Sequence, residues 1–299
     1  MRYGYIGLGN LGGHIAASLQ RAGHQIVVND IDKALAERHI KAGAVWATTP
    51  QELAAQVDHV FTCLPSPFVS EKVLSAILET LKPGGTWIEN STNGRDEMQR
   101  LAAKAAAKGV RVLEAPVTGG VHLAARGEIT VLVGGDADLF ETHKPALEVI
   151  GNKTFHMGAI GSAAIIKVIT NMLAFIHLVA DAEALMLAKR GGLDLGQAWA
   201  AITASSGTSF VHETEGQLIL NGSYDIAFSM DLALKDLGFA MNFGKEFGVP
   251  LDLASMTNQT FMKGKAMYGG SAQSTQIAKL LEDAIGTDLR AKGFPARLE

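Results

Sequence analysis

The chain has 299 residues, 47% of them apolar and 19% charged, with a formal net charge of −4. That length accommodates about two domains, each able to bury its own core, and the balance lacks the basic excess that a nucleic-acid partner requires. A single cysteine, Cys63, excludes an internal disulfide and suits a reducing compartment, so a cytoplasmic location is expected.

Strand character begins at once with Tyr3-Gly4-Tyr5-Ile6, and no leader segment is expected. Further strands are predicted over Gln25–Asn29, Val60–Cys63, Thr86–Glu89, Arg111–Ala115 and Ile129–Val133. Between them, helices are predicted over Ile15–Ala22, Lys33–Ala42 and Asp96–Lys108. The joints carry stop signals: Ala22-Gly23, Ala42-Gly43, Lys82-Pro83-Gly84-Gly85 and Lys108-Gly109. This alternation is the α/β pattern of a parallel sheet wrapped by helices.

The pattern changes after Gly158-Ala159-Ile160-Gly161. Ser162–Arg190 contains no glycine or proline and predicts one helix roughly 40 Å long at ~1.5 Å per residue, ended by Gly191-Gly192. Its most apolar part, Val168–Ala180, lies between Lys167 and Asp181 and contains Asn171 and His177. That stretch is too short and too polar for a bilayer span; it predicts a buried core helix and no membrane partner. Helices joined by Gly, Asn and Ser turns follow. The expected organisation is a dinucleotide-binding domain over 1–161 and an all-helical substrate and oligomerisation domain over 162–299, opened by the long helix.

Gly7-Leu8-Gly9-Asn10-Leu11-Gly12 is a G-x-G-x-x-G run between a strand and a helix. Gly7 permits the tight turn, Gly9 lets the backbone approach a pyrophosphate, and Gly12 lets the helix pack closely. The positive end of that helix then faces the phosphates. Asp30 lies 18 residues past Gly12, at the end of the second strand. A carboxylate there accepts the ribose hydroxyls of NAD and repels a 2′-phosphate; Ile31 follows, where an NADP enzyme usually carries arginine. Asp32 is near but has the poorer spacing. A plain glycine turn followed by a surface aspartate is the bland alternative; the ordered strand, glycines, helix, strand and acid argue against it. Cys63-Leu64-Pro65-Ser66-Pro67 then leads into a rigid loop at the carboxyl edge of the sheet, where cofactors bind. Cys63 itself reads as a small core residue.

Three later segments carry chemistry only in combination. Glu114-Ala115-Pro116-Val117-Thr118-Gly119-Gly120 ends a strand with a hydroxyl and two glycines, a turn that is either an anion-binding nest or a simple strand exit. Lys167 and Asn171, at i and i+4, share a helix face among Val168, Met172 and Phe175, and so need partners or a cleft. A snorkelling lysine at the helix margin is the alternative. Lys235-Asp236-Leu237 alone is an ordinary helix start or a salt-bridged surface.

Taken in order, the glycine loop, Ala115–Gly120, Gly158-x-x-Gly161 with Lys167 and Asn171, and Lys235-Asp236-Leu237 resemble the β-hydroxyacid dehydrogenase family over nearly the whole chain. The resemblance implies a Rossmann-type doubly wound parallel sheet, then a helical domain, with the active site at the crevice between them. It implies Lys167 as the general acid/base, Thr118, Gly119 and Gly120 holding a substrate carboxylate, and Asn171 orienting the substrate. Lys235 would sit at the cofactor–substrate junction, and Asp236, Leu64, Pro65 and Thr92 would join Gly7–Gly12 and Asp30 around NAD. Thr118 departs from the family's usual serine, adding a methyl. His122, after the double glycine, either reads a substrate substituent or is a solvated loop histidine.

The implied reaction interconverts a small β-hydroxy acid and its semialdehyde, in a homodimer or homotetramer. A neutral Lys167 amine takes the hydroxyl proton; an ordinary lysine, near ~10.4, needs desolvation or a second cation such as Lys235 to serve at neutral pH. The competing readings are an NADP-dependent semialdehyde reductase, opposed by Asp30-Ile31, and a non-catalytic dinucleotide module, opposed by Lys167. An imine reductase of the same architecture would replace the lysine with aspartate or tyrosine. No metal site is expected: none of the nine histidines forms H-E-x-x-H, and G-x-S-x-G is absent.

Overall fold

The structure is a computed structural model and describes residues 1–298. Among these, nine strands form one sheet. Strands β1 (Arg2–Ile6), β2 (Gln25–Asn29), β3 (Val45–Trp46), β4 (His59–Thr62), β5 (Thr86–Glu89) and β6 (Arg111–Glu114) run parallel in the spatial order β3-β2-β1-β4-β5-β6. This is the doubly wound order, and it reverses between β1 and β4. Three more strands extend the sheet: β7 (Val117–Thr118), β8 (Thr130–Gly135) and β9 (Lys153–Gly158). β8 is antiparallel to β6 and β7 and parallel to β9.

The sheet is covered by α1 (Gly12–Arg21), α2 (Glu37–Lys41), α3 (Pro50–Ala54), α4 (Pro67–Ile77), α5 (Arg95–Ala106), α6 (Gly120–Arg126) and α7 (Ala137–Ile150). Successive strand residues feed opposite faces. Tyr5, Val28, Phe61 and Ile88 join one buried cluster with Ile15 and Leu19 of α1. Val27, Val60 and Trp87 join another with Leu74 and Leu101. Burial on both faces is why these strands read as continuous apolar runs.

The chain divides into two compact units, Met1–Lys167 and the residues from Val168 onward. The division runs through α8 (Ser162–Arg190) instead of falling at the Gly161 turn, because the first turn of α8 belongs to the sheet: Ala164 packs in the same cluster as Trp87 and Leu101. The second unit adds α9 (Leu195–Thr203), α10 (Phe210–Asn221), α11 (Met230–Phe247), α12 (Asp252–Tyr268) and α13 (Lys279–Ile285) around Leu178, Leu185, Leu237 and Phe261. Its helix ends follow local chemistry. Ser209 and Ser229 accept the backbone N–H groups of His212 and Leu232, and Gly222 and Gly248 close α10 and α11 at left-handed φ of 88° and 67°.

Three strands escape the sequence pattern. β3 and β7 have two residues each, and β9 is mostly exposed, so none shows a burial period. The segment expected as one helix from Lys33 splits into a 3-10 turn, Lys33–Ala36, and α2. The long helix is also less buried than a core helix: its most apolar window, of mean hydropathy 1.9, is 33% buried, and Ile169, Leu173 and Leu187 are exposed. By length and composition alone α8 could cross a membrane. Its buried Asp181, paired with His212 of α10, is a charge that a bilayer core would penalise.

Candidate active site

The glycine loop sits where the strand order reverses. Gly7 adopts φ +94°, and a Cβ there would lie 2.2 Å from the Cys63 carbonyl oxygen at the end of β4. A Cβ on Gly12 would lie 2.1 Å from the Gly7 carbonyl oxygen. Both positions therefore require glycine for the fold itself. Gly9 differs, since a Cβ there would meet nothing within 4 Å. It borders the open cradle that a pyrophosphate fits, as the loop chemistry requires.

Asp30, at the end of β2, is pinned through both carboxylate oxygens. The Leu8 N–H donates to Oδ2 at 2.6 Å and the Asp32 N–H to Oδ1 at 2.9 Å. One acid thus ties the glycine loop to the second strand. Beside it is a cavity of about 440 Å³ lined by Gly9, Asn10, His14, Arg38 and Lys41. Ile31 is fully exposed. Arg38 donates through Nε to His39 Nε2 at 3.2 Å, while His39 Nδ1 meets Gln20 Oε1 at 2.8 Å. Burial, with Arg38 adding to it, pushes His39 down to about 4, so this histidine is a neutral acceptor holding the guanidinium. His14 is likewise lowered, by burial and then by Arg38. Arg38 and Lys41 carry no motif that singles them out in the sequence; the 3-10 turn at Lys33–Ala36 brings them to the cavity.

The loops after β4 and β5 are latched together. Leu64 N–H donates to Ser91 Oγ at 2.7 Å, and the Ser91 N–H and hydroxyl both donate to Glu89 Oε1, the N–H at 2.8 Å. Glu89 is fully buried, and burial pushes its carboxyl up to about 7 against the opposing hydrogen bonds from Ser91. Leu64-Pro65 and Thr92 ride on these two loops. Sequence reasoning missed Glu89 and Ser91, although a glutamate closing an apolar strand was the available signal. Burial pushes the Cys63 thiol up to about 12, so it is protonated core packing.

Thr118 ends β7 and is followed by two glycines in the left-handed region, Gly119 at φ +126° and Gly120 at φ +85°. A Cβ on Gly119 would lie 2.8 Å from the flexible end of Leu123, at Cδ1, but the φ of +126° itself strains any larger residue there. His122 is not in a loop. It lies in the first turn of α6, half-buried, and burial lowers its pKa, with Arg126 adding to the shift.

Lys167 is buried, with 7% of its surface exposed, which rules out a lysine snorkelling into solvent. It stands one turn before Asn171 on α8. In the second unit, Asn171 Nδ2 donates to Asp236 Oδ2 at 2.6 Å, and Lys235 Nζ lies 2.8 Å from Asp236 Oδ1 and 5.2 Å from the Phe239 ring centroid. Asp236 is 1% exposed, so this carboxylate joins two sequence blocks 65 residues apart and is itself withdrawn from solvent. Among the described residues, no group of three or more His, Cys, Asp or Glu side chains is gathered as a metal site would be.

Comparison with known proteins agrees with this geometry. Residues 2–158 match the model for the NAD binding domain of 6-phosphogluconate dehydrogenase. Residues 161–281 match the model described as NAD-binding of NADP-dependent 3-hydroxyisobutyrate dehydrogenase. The chain is 32% identical to 2-(hydroxymethyl)glutarate dehydrogenase of Eubacterium barkeri over 97% of both chains. It is 31% identical to L-threonate dehydrogenase of Cupriavidus necator over 93% of this chain and 95% of that one. A crystal structure of 3-hydroxyisobutyrate dehydrogenase from Salmonella typhimurium superimposes with a TM-score of 0.88 at 29% identity, covering 94% of this chain and 99% of the other. With a glycine loop, a pinned Asp30 and a buried Lys167 in one chain, and with matches of this length, the protein belongs to the β-hydroxyacid dehydrogenase family.

Proposed function

We propose that the protein is an NAD-dependent dehydrogenase interconverting a small β-hydroxy acid, of the 3-hydroxyisobutyrate type, and its semialdehyde, with Lys167 as general acid/base. The single observation that carries this reading is Lys167 itself, buried and one turn from an asparagine that is anchored in turn by Asp236. A bound nicotinamide supplies the hydride acceptor. The chain supplies the rest. The Lys167 amine takes the proton from the substrate hydroxyl as the alcohol is oxidised, and the ammonium returns it in the reverse direction. Thr118 Oγ1 and the N–H groups of the Gly119-Gly120 turn hold the carboxylate. Asn171 and Lys235, both held by Asp236, are the polar groups the second unit offers for orienting the substrate. The buried Asp236 carboxylate suits an orienting role better than direct cofactor contact.

The three named relatives act on 2-(hydroxymethyl)glutarate, L-threonate and 3-hydroxyisobutyrate, all hydroxy acids, which supports the substrate class. Preference for NAD is supported by Asp30 and by exposed Ile31 beside it. The experiment is kcat/KM for NAD and NADP against hydroxyisobutyrate, hydroxypropionate, glycerate, hydroxybutyrate and serine. The expected result is turnover with a β-hydroxy acid and NAD; tight NAD binding with no turnover on any of them favours a non-catalytic dinucleotide module.

Arg38 and Lys41 favour a second reading, use of NADP, because the two cations exceed the one acid, Glu37, that lines the same cavity, and they would partly offset the Asp30 charge against a 2′-phosphate. The pair Asp30→Asn with Ile31→Arg should move preference toward NADP. If wild type already prefers NADP and Arg38→Ala abolishes that preference, the second reading stands. We further propose a soluble homo-oligomer in a reducing compartment, supported by the lone cysteine and by exposed Leu187, Leu253 and Met256; light scattering of the purified protein tests the assembly.

A further inference from the structure

Where helices here have an N-terminal side-chain cap it comes from the residue just before them, as for α4 from Ser66 and α10 from Ser209, while others such as α1, α5 and α7 have none. The start of α8 also receives a cap from far away. The Gly161 N–H donates to Glu114 Oε1 at 2.7 Å and the Ala163 N–H to the same oxygen at 2.8 Å, across 47 and 49 residues of chain. Glu114 ends β6 and is fully buried. Its second oxygen, Oε2, is buried with no hydrogen-bond partner. Keeping a carboxyl in that state costs free energy, and burial pushes it up to about 7 despite the backbone N–H groups that oppose the shift. The space it occupies is reserved. Gly134 is its register partner on β8, and a Cβ at Gly134 would lie 2.2 Å from Glu114 Oε1.

The location of this acid is what gives it meaning. It stands four residues before Thr118 on the strand-and-turn segment that ends in Gly119-Gly120, and it grips the helix one turn before Lys167. One side chain therefore joins the backbone of the carboxylate-holding turn to the backbone of the helix bearing the lysine, all within the first unit. A helix start anchored to a strand end has a fixed register, and proton transfer depends steeply on such placement.

We propose that Glu114 is a positioning residue for the proton-transfer step: its carboxyl fixes the first turn of α8, and with it Lys167, relative to the Thr118-Gly119-Gly120 turn. This rests on the reading of Lys167 as the acid/base.

The test compares Glu114→Ala, Glu114→Gln, Lys167→Ala and the double variant carrying both Glu114→Ala and Lys167→Ala, all in the full-length protein. Glu114→Ala should lower kcat by about 10- to 100-fold while KM for the hydroxy acid and Kd for NAD stay within about 3-fold. Amide hydrogen exchange at Gly161 and Ala163 should accelerate. Glu114→Gln retains an acceptor oxygen and should restore most of kcat. In the Lys167→Ala background, Glu114→Ala should cause no further loss. If the alanine variant fails to accumulate, Glu114→Asp, one methylene short of both amides, takes its place in the comparison. Wild-type kcat in Glu114→Ala beside an inactive Lys167→Ala overturns the positioning role alone, as does full additivity in the double variant. Wild-type turnover in Lys167→Ala overturns the lysine reading and the positioning role together.

Discussion

The glycine loop and the Asn171–Asp236–Lys235 cluster reach their geometry by opposite routes. In the loop, each residue answers a demand made by backbone a few ångströms away: Gly7 by its positive φ and the Cys63 carbonyl, Gly12 by the Gly7 carbonyl. In the cluster, none of the three residues has a local reason to be where it is. Asn171 and Asp236 meet across 65 residues because α8 and α11 pack around Leu178 and Leu237, and a buried carboxylate then needs both partners. A site made of backbone constraints leaves a motif in the sequence. A site made of packed side chains leaves only residues that look ordinary one at a time.

The largest test of that contrast removes the proposed acid/base, one turn before Asn171 on α8. Lys167→Ala should lower kcat by about 10²–10⁴-fold, the usual worth of a positioned acid/base, with Kd for NAD nearly unchanged in a fluorescence titration; substantial surviving turnover would remove Lys167 from the mechanism. Next come two glycines of the same loop. Gly12→Ala should destabilise the protein by about 1–3 kcal/mol in chemical denaturation, since a Cβ would strike the Gly7 carbonyl, and should also weaken NAD binding. Gly9→Ala should leave the denaturation midpoint in place and weaken NAD binding alone, because only a cofactor would meet that Cβ. Equal destabilisation by the two would erase the distinction between structural and cofactor-facing glycines.

Asp236→Ala sharpens the other side of the comparison. It strips the acceptor from Asn171 and Lys235, so stability should fall by about 1–3 kcal/mol and kcat/KM by about 10-fold, both measurable on one preparation. The smallest effect is on pH. His212 faces acceptors at both nitrogens, Asp181 Oδ1 and the Trp199 carbonyl oxygen, so it carries both protons. Burial, the largest single influence, opposes that charge, but the Asp181 hydrogen bond, the Trp199 carbonyl and the Asp181 and Glu213 charges together outweigh it and raise the pKa. The stabilisation is complete below the unfolded histidine value of ~6.5 and is lost as pH rises through the higher folded value. Glu89 and Glu114, both pushed up to about 7 by burial, act in the same direction. Their contribution is present below the unfolded carboxyl value of ~4.3 and disappears as pH climbs through 7. Tm should therefore fall by a few degrees between about pH 5 and pH 8. In calorimetry, Glu89→Gln should flatten the lower part of that fall and His212→Gln the upper part; a Tm that rises over the interval contradicts both assignments.

Much of the fold was legible because its signals are local. The strands at Gln25–Asn29 and Thr86–Glu89 match their predicted limits, and α8 matches over its whole length, since two-sided burial and a run without glycine or proline are written residue by residue. Strands too short or too exposed to show a period, β3, β7 and β9, were not. His122 reads as a loop residue after two glycines, but those glycines are the turn that starts α6. Of the candidate site, the glycine loop, Asp30, the Thr118 turn and Lys167 stand out in the sequence alone. Leu64 latched through Ser91 to Glu89, and Glu114 at the head of α8, do not, because each is defined by what it touches across the sheet, nor does Arg38, which reaches the cavity through the 3-10 turn before α2.

By itself, then, the sequence determined the alternation that builds a doubly wound sheet, the glycines that its sharpest turn requires, and a helix with a lysine among apolar neighbours. Backbone torsion and the period of burial act over a few residues, so any such segment records them. Only the tertiary structure decided which buried carboxyl grips which helix and which acid joins its own sequence neighbour to an asparagine 65 residues away. Desolvation sets those pairings, and its strength depends on everything that packs around a group once the chain has closed.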